Sequence, residues 1–132
     1  MRRERGSASV GNVMHRGVVC CDRDTPAAKV AMMMTAHRIH AVVVTGSADL
    51  PRLVTAAEIA SALYSDTLES ARADDISTSA PLLRLSDSVD DALARMHEQA
   101  STHAIAVDRT FRPVGVVSVL DLVEARQRKE AE

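Results

Sequence analysis

Two stretches of the 132-residue chain pair a hydroxyl with a carboxylate three residues later, just ahead of an apolar run: Thr55 with Glu58, and Ser118 with Asp121. At a helix start this spacing has two chemical uses. The hydroxyl oxygen can accept from a free backbone N–H while the carboxylate reaches back to the first residue's N–H, a reciprocal box that holds the helix end together. The same helix start gathers unbonded N–H groups and the positive end of the helix dipole, which attract a phosphate, with the hydroxyl as an added donor. Gly115 lies three residues before Ser118 and leaves room for a close approach. Arg52 stands at the matching place ahead of Thr55.

No other arrangement points to catalysis. There is no nucleophile beside a base, no Gly-rich phosphate loop and no pair of carboxylates in a repeating acidic context, so the chain reads as a non-enzyme that requires no cofactor. His15, His37 and His97 have no consistent carboxylate partner, and no Cys/His spacing suits zinc, so no metal site is expected. Cys20 and Cys21 are adjacent. A bridge between neighbours is badly strained and no third thiol exists. On a strand, one of the two faces the core and the other faces away, with no activating neighbour in sequence. The Met32–Met33–Met34 run reads as core filler.

Composition narrows the partners. Hydrophobic residues make up 46% and charged residues 26% of the chain, the balance of a globular domain. Tyr64 and Phe111 are the only aromatics, too few for the stacking platforms that hold single-stranded nucleic acid. A net charge of −2 offers no field for a phosphate backbone or an anionic lipid surface, so neither nucleic acid nor membrane is expected as a partner. No apolar run approaches the roughly 20 residues of a membrane span. The basic N-terminus lacks the apolar stretch of a secretory signal. The cytoplasm is the expected compartment.

The elements that must position the two hydroxyl–carboxylate pairs emerge from self-similarity. Shifted by 63 residues, the chain matches itself without a gap. Asp24–Thr25 falls on Asp87–Ser88, Val30 and Met33 on Leu93 and Met96, and His40 on His103. Leu53–Val54–Thr55 falls on Val116–Val117–Ser118, and Glu58 on Asp121. Each copy reads as strand, helix, strand, strand, helix. In the first copy, residues 17–21 form a short strand and Thr25 caps a helix with Pro26 at its first position. Residues 41–45 form a buried strand, residues 46–49 a turn, residues 53–54 the partner strand, and residues 56–64 a helix. In the second copy, Ser88 and Asp91 form a capping box ahead of Val89, Leu93 and Met96. Residues 104–107 are the buried strand, 108–112 the turn, 114–117 its partner, and a last helix starts near Val119. Residues 1–12 read as a flexible tail, 13–65 as repeat 1, 66–74 as a polar linker, 75–126 as repeat 2 and 127–132 as a tail. The fold class is α/β (α+β), with the two copies packed through their sheets and the helices outside.

The ordered set resembles the cystathionine-beta-synthase (CBS) domain, which occurs as tandem pairs called Bateman modules. The residues that carry the resemblance are Val13–Met14 and Asp75–Ile76 ahead of the first strands, then Asp87–Ser88–Val89 with Ala92, Leu93 and Met96. They continue with HAIAVD from His103 and PVGVVSVLDLV from Pro113. The chain departs from the family where Val42 and Ile105 replace a strand proline, and at Arg52 and Glu58. The resemblance implies a stand-alone regulatory module that binds an adenosine-type ligand (AMP, ADP, ATP or S-adenosylmethionine) in the cleft between the repeats. It also implies a homodimer and an effector protein acting in trans. Carried over residue by residue, Ser118 contacts phosphate and Asp121 holds the ribose, with Gly115 beside them. Thr55 and Glu58 match them in the first copy, where capping is the favoured reading. His40, His103, Val18, Val19 and Pro81 fall where the family lines its cleft. Arg16, Arg23, Lys29, Arg38 and Arg84 lie where they could meet phosphates. Two other readings stand beside this one: a non-catalytic dimerisation or interaction module with degenerate clefts, and a pair of ACT-type small-molecule domains. An ACT pair requires a strand over residues 122–126.

Overall fold

The computed structural model describes residues 8–14, 17–46 and 50–131, with side chains to residue 128. His15, Arg16, residues 1–7, residues 47–49 of the expected first turn and residue 132 lie outside the described residues. In chain order the elements are α1 (Val10–Val13), β1 (Cys20–Asp22), α2 (Ala27–His37), β2 (Ala41–Thr45), β3 (Arg52–Thr55) and α3 (Ala56–Tyr64). They continue with α4 (Ala73–Ile76), β4 (Leu82–Arg84), α5 (Val89–Glu98), β5 (His103–Val107), β6 (Pro113–Ser118) and α6 (Val119–Ala131). The chain forms two compact units: a central unit, Val18–Ser79, and a terminal unit built from Met1–Gly17 and Ala80–Glu132.

In the central unit three strands form one sheet in the order β1-β2-β3, with β1 parallel and β3 antiparallel to β2. Side chains alternate across a strand. Val42 and Val44 therefore face the helices together with Cys21 and Val54, and they pack there against Val30, Met34 and Ala73. Burying each such valine contributes roughly 1.5–3 kcal/mol. Val43 and Leu53, on the alternate parity, are withdrawn from solvent as well, which accounts for the unbroken apolar run of β2. The buried side of α2 is Ala27, Val30 and Met34, and the helix stops at Arg38, whose left-handed φ of 54° returns its N–H to the Met34 and Thr35 carbonyls. The short α4 is held by its backbone: Ala27 N–H donates to Ala71 O at 2.9 Å and Ala73 N–H to Thr25 O at 2.7 Å.

The terminal unit repeats this plan with the order β4-β5-β6. Leu83, Ala104, Ala106 and Val117 face Val89, Ala92, Met96, Leu122 and Ala125. Here the short helix is α1. Val10 N–H donates to Asp87 O at 2.8 Å, Val89 N–H to Ala8 O at 3.0 Å, and Val10 is fully buried. Compact structure therefore starts ahead of residue 13, and Ala73 is buried within the stretch read as linker. Each short helix is built into the unit that carries the other copy's strands.

The structure revises the internal register. Core positions of the two copies correspond at a spacing of 62 residues, not 63, through the first helix and strands: Cys21 with Leu83, Ala27 with Val89, Val30 with Ala92, Met34 with Met96, Val42 with Ala104. The spacing becomes 63 only at β3 and β6, where Val54 matches Val117 and Thr55 matches Ser118. The additional residue sits in a β-bulge: Ala106 pairs with Gly115 and Val107 with Pro113, leaving Val114 between them. A one-residue slip turns a side chain to the opposite face. The match of His40 with His103 is thereby overturned; His103 corresponds to Ala41, and His40 to Thr102.

Smaller differences concern element ends. The first strand begins at Cys20, and Gly17 to Val19 lie outside it. Pro26, not Thr25, is the residue that precedes α2. Ser88 caps α5 by accepting from Asp91 N–H at 3.0 Å. Residues 122–126 are helical, which removes the ACT alternative.

Candidate helix-start ligand site

Ser118 closes β6 and α6 begins directly after it, because the two residues of its box satisfy the helix end reciprocally. Asp121 N–H donates to Ser118 Oγ at 3.1 Å, and Ser118 N–H donates to Asp121 Oδ2 at 3.1 Å. One carboxylate oxygen and the hydroxyl lone pair are used in this way. Among the described residues, neither Asp121 Oδ1 nor the Ser118 hydroxyl proton is engaged, and both side chains are half-buried. A carboxylate oxygen open to two donors and a hydroxyl with a proton to give therefore stand one helical turn apart.

The sheet adds a third group. His103 is the register partner of Ser118, and directly opposed residues share a face with Cβ atoms about 4.5–5.5 Å apart. The imidazole Nδ1 lies 3.0 Å from Thr102 Oγ1. Gly115 is opposite Ala106, whose side chain belongs to the helix-packed core, so the missing Cβ is on that face and not beside Ser118. The positive-φ glycines among the described residues are Gly17 and Gly46, so Gly115 does not owe its identity to a left-handed backbone.

Thr55 and Glu58 hold the start of α3 more tightly. Thr55 N–H donates to Glu58 Oε1 at 2.7 Å, the Thr55 hydroxyl donates to the same oxygen at 2.6 Å, and Ala57 N–H donates to Thr55 Oγ1 at 3.3 Å. The longer glutamate reaches both groups of Thr55, where the shorter aspartate reaches one of Ser118. The residue across the ladder is Ala41. Arg52 turns to the segment after α4: Nε donates to Ser77 Oγ at 2.7 Å and an Nη donates to Ser77 O at 2.9 Å. Beside that clamp, Leu53 and Thr78 exchange two backbone bonds of 2.9 and 2.8 Å. Nothing in the sequence marks Ser77 and Thr78 for this contact, since a polar Ser-Thr-Ser stretch carries no strand signal.

The remaining candidates separate. His40 is exposed and lies outside β2. Pro81 is buried and its carbonyl accepts from Ile105 N–H at 2.9 Å. The matching carbonyl in the central unit is that of Val19, which accepts from Val43 N–H at 2.9 Å, so Val19 and not Val18 is the counterpart of Pro81. Arg23 is 3.7 Å from Asp74, and Arg84 lies over Phe111 at 5.1 Å from the ring centre. Arg38 and Lys29 are exposed. Cys20 is exposed and Cys21 buried, as their adjacency on a strand requires, and burial pushes both thiols above the usual range. Among the described residues no cluster of three or more His, Cys, Asp or Glu could hold a metal ion, and no helix is long and apolar enough to cross a membrane.

The family model described as CBS domain matches the chain twice, over residues 10–65 and 73–128. No curated protein matches the sequence significantly. Solved structures do. A CBS domain pair in complex with 5′-methylthioadenosine and S-adenosyl-L-methionine superposes with a TM-score of 0.81 at 18% identity, over 93% of this chain and 98% of that one. A CBS domain protein from Pyrobaculum aerophilum complexed with AMP gives 0.82 at 20% identity, over 95% and 100%. A CBS-domain containing protein from Agrobacterium tumefaciens gives 0.74 at 22%, over 89% and 98%. At these identities the likeness concerns the fold.

Proposed function

The chain belongs to the CBS domain family and carries the domain twice, and from that premise we propose that it is a regulatory module that binds an adenosine-type ligand at the Ser118–Asp121 start of α6. The ligand class is AMP, ADP, ATP or S-adenosylmethionine. The observation that carries the reading is the unfinished hydrogen bonding of that helix start. Asp121 keeps Oδ1 for the two hydroxyl donors of a ribose, and Ser118 keeps its proton for a phosphate oxygen at the positive end of the 13-residue α6. His103 stands on the same face and supplies a further polar contact. Fold relatives complexed with AMP, and with 5′-methylthioadenosine and S-adenosyl-L-methionine, support the ligand class.

The proposal includes no catalytic step; binding changes the stability of the module, and an effector protein reads that change. A homodimer and a cytoplasmic setting belong to the same proposal. Support for association comes from large exposed apolar side chains on each unit, Leu63 and Tyr64 on the central one (61% and 95% exposed) and Leu120 on the terminal one (76%). A module that only associates and binds no nucleotide is the competing reading, favoured by the closed Thr55–Glu58 cap.

Thermal melting with AMP, ATP and S-adenosylmethionine decides between them. A ligand present at about a hundred times its dissociation constant stabilises by roughly 2.7 kcal/mol, several degrees of Tm in a domain of this size. The wild type should shift with at least one of the three and Asp121→Asn by about half as much or less. A wild-type melt that ignores all three removes the adenosine reading.

A further inference from the structure

The turn between β5 and β6 holds a bulky aromatic residue where the backbone favours glycine. Asp108 Oδ1 accepts from Thr110 N–H at 2.8 Å, from the Thr110 hydroxyl at 2.8 Å and from Arg112 N–H at 3.0 Å. Asp108 N–H donates to Arg112 O, and Phe111 N–H to Asp108 O, both at 3.0 Å. Within that frame Phe111 has a left-handed φ of 64°. Glycine takes such a position freely, while a side chain as large as phenylalanine takes it rarely and under strain. Core burial does not offset the strain, because Phe111 is 45% exposed. What surrounds the ring is positive. Arg84, at the end of β4 and paired in register with Val107, lies over it at 5.1 Å from its centre. Arg109 and Arg112 belong to the same turn, and all three arginines are exposed. Among the described residues none of the three forms an ion pair. The carboxylates nearby are engaged: Asp108 by the turn itself, and Asp87 by Arg84 N–H at 2.8 Å and Arg95 at 3.5 Å. In the first copy the matching turn sequence, residues 46–51, has neither an arginine nor an aromatic residue, and Asp22 stands at the position of Arg84.

We propose that this end of the terminal unit is a docking surface for an acidic segment of the effector protein, with Phe111 as its apolar contact. Guanidinium groups bind carboxylates through two parallel N–H donors, and an arginine stacked on an aromatic face is held in place before its partner arrives. On a chain of net charge −2, such a cluster selects an acidic partner by local complementarity and not by the field of the whole molecule. The strand register puts the turn at the opposite end of β5 and β6 from His103 and Ser118, so a ligand at the helix start does not cover it. The proposal takes from the functional reading only the existence of an effector protein.

Amide chemical-shift mapping of the isotopically labelled full chain tests this, with an acetylated peptide of six glutamates around a central leucine as the probe and no nucleotide present. Shifts should gather at Arg84 and from Arg109 to Arg112, and fade as salt is raised. Arg84→Ala combined with Arg109→Ala should weaken binding about tenfold or more. Phe111→Gly should melt close to the wild type, because relief of the left-handed strain offsets the lost contact with Arg84, and should bind the peptide several-fold more weakly. No shift at these amides, or an equal response to the same peptide with lysine for glutamate, overturns the docking surface. A short DNA duplex that moves the same amides at lower concentration overturns it in favour of nucleic acid. A Phe111→Gly chain that melts several degrees lower and binds the peptide as the wild type does overturns the role of the ring. None of these outcomes bears on adenosine binding, which the melts with AMP, ATP and S-adenosylmethionine read separately.

Discussion

His103 and Ser118 face each other across the β5–β6 ladder, and the residues at that place in the central unit are Ala41 and Thr55. The imidazole therefore has no twin, although a second histidine, His40, stands 63 positions upstream. Two substitutions separate these residues. His103→Ala should weaken AMP binding by about fivefold, the worth of roughly one hydrogen bond. His40→Ala should leave it within twofold. Equal losses from both would mean that the two histidines act alike, contrary to the strand register.

Capping and ligand binding can be told apart at α6. Ser118→Ala removes the acceptor of Asp121 N–H and should cost about 1 kcal/mol in a denaturant melt, the usual worth of such a cap. Asp121→Asn retains an oxygen for Ser118 N–H and should cost much less. If Asp121→Asn destabilises as much as Ser118→Ala, the carboxylate charge at the helix start matters to folding beyond its hydrogen bond.

The hydroxyl–carboxylate pairs were legible because capping is local. Ser118 with Asp121 and Thr55 with Glu58 sit within one helical turn, and the residue types alone specify the bonds they make. The buried strands were legible for a similar reason, since runs such as residues 41–45 and 104–107 suit a sheet with no solvent face. The 63-residue register was right at Thr55–Glu58 and Ser118–Asp121 and wrong from Cys21 to Val44, where it set Thr25 in place of Pro26 against Ser88, because the bulge at Val114 shows no sign in sequence. Chains of Val, Ala and Ile match equally well at either offset, so apolar similarity could not detect the slip. The role of Arg52 was hidden for a different reason. Its partner Ser77 is 25 residues away, and nothing local announces a contact made by the return of the chain.

That contact makes its own prediction. Arg52 holds Ser77 by its side chain, and the adjoining Thr78 exchanges backbone bonds with Leu53 on the edge of β3. Arg52→Ala should release the segment and leave the strand core intact. Native-state hydrogen exchange at the Thr78 amide should accelerate by about tenfold, matching roughly 1.4 kcal/mol of lost local protection, while the amides of Val42 and Val44 stay as slow as before. Unchanged exchange at Thr78 would show that the two backbone bonds hold the edge unaided.

The two thiols give a pH dependence whose sign follows from burial. Desolvation, the largest influence on each, raises both above the ordinary thiol value; for Cys21 the bond with Thr25 partly opposes it, while Cys20 and Asp22 add to it. A group that holds its proton more firmly when folded binds more protons in the native state than in the unfolded one as pH climbs past the ordinary value. Stability is therefore fully present below that value and declines above it. Both thiols should accordingly be poor nucleophiles at neutral pH. In the native chain iodoacetamide should modify Cys20 first, since Cys20 is exposed and Cys21 only 8% so, and Cys21 should react only after unfolding. Mass spectrometry of digested samples reads the two sites. Fast alkylation of Cys21 in the folded protein at pH 7, or a melting temperature that rises through the alkaline range with Cys20→Ser already in place, would contradict this account of the strand.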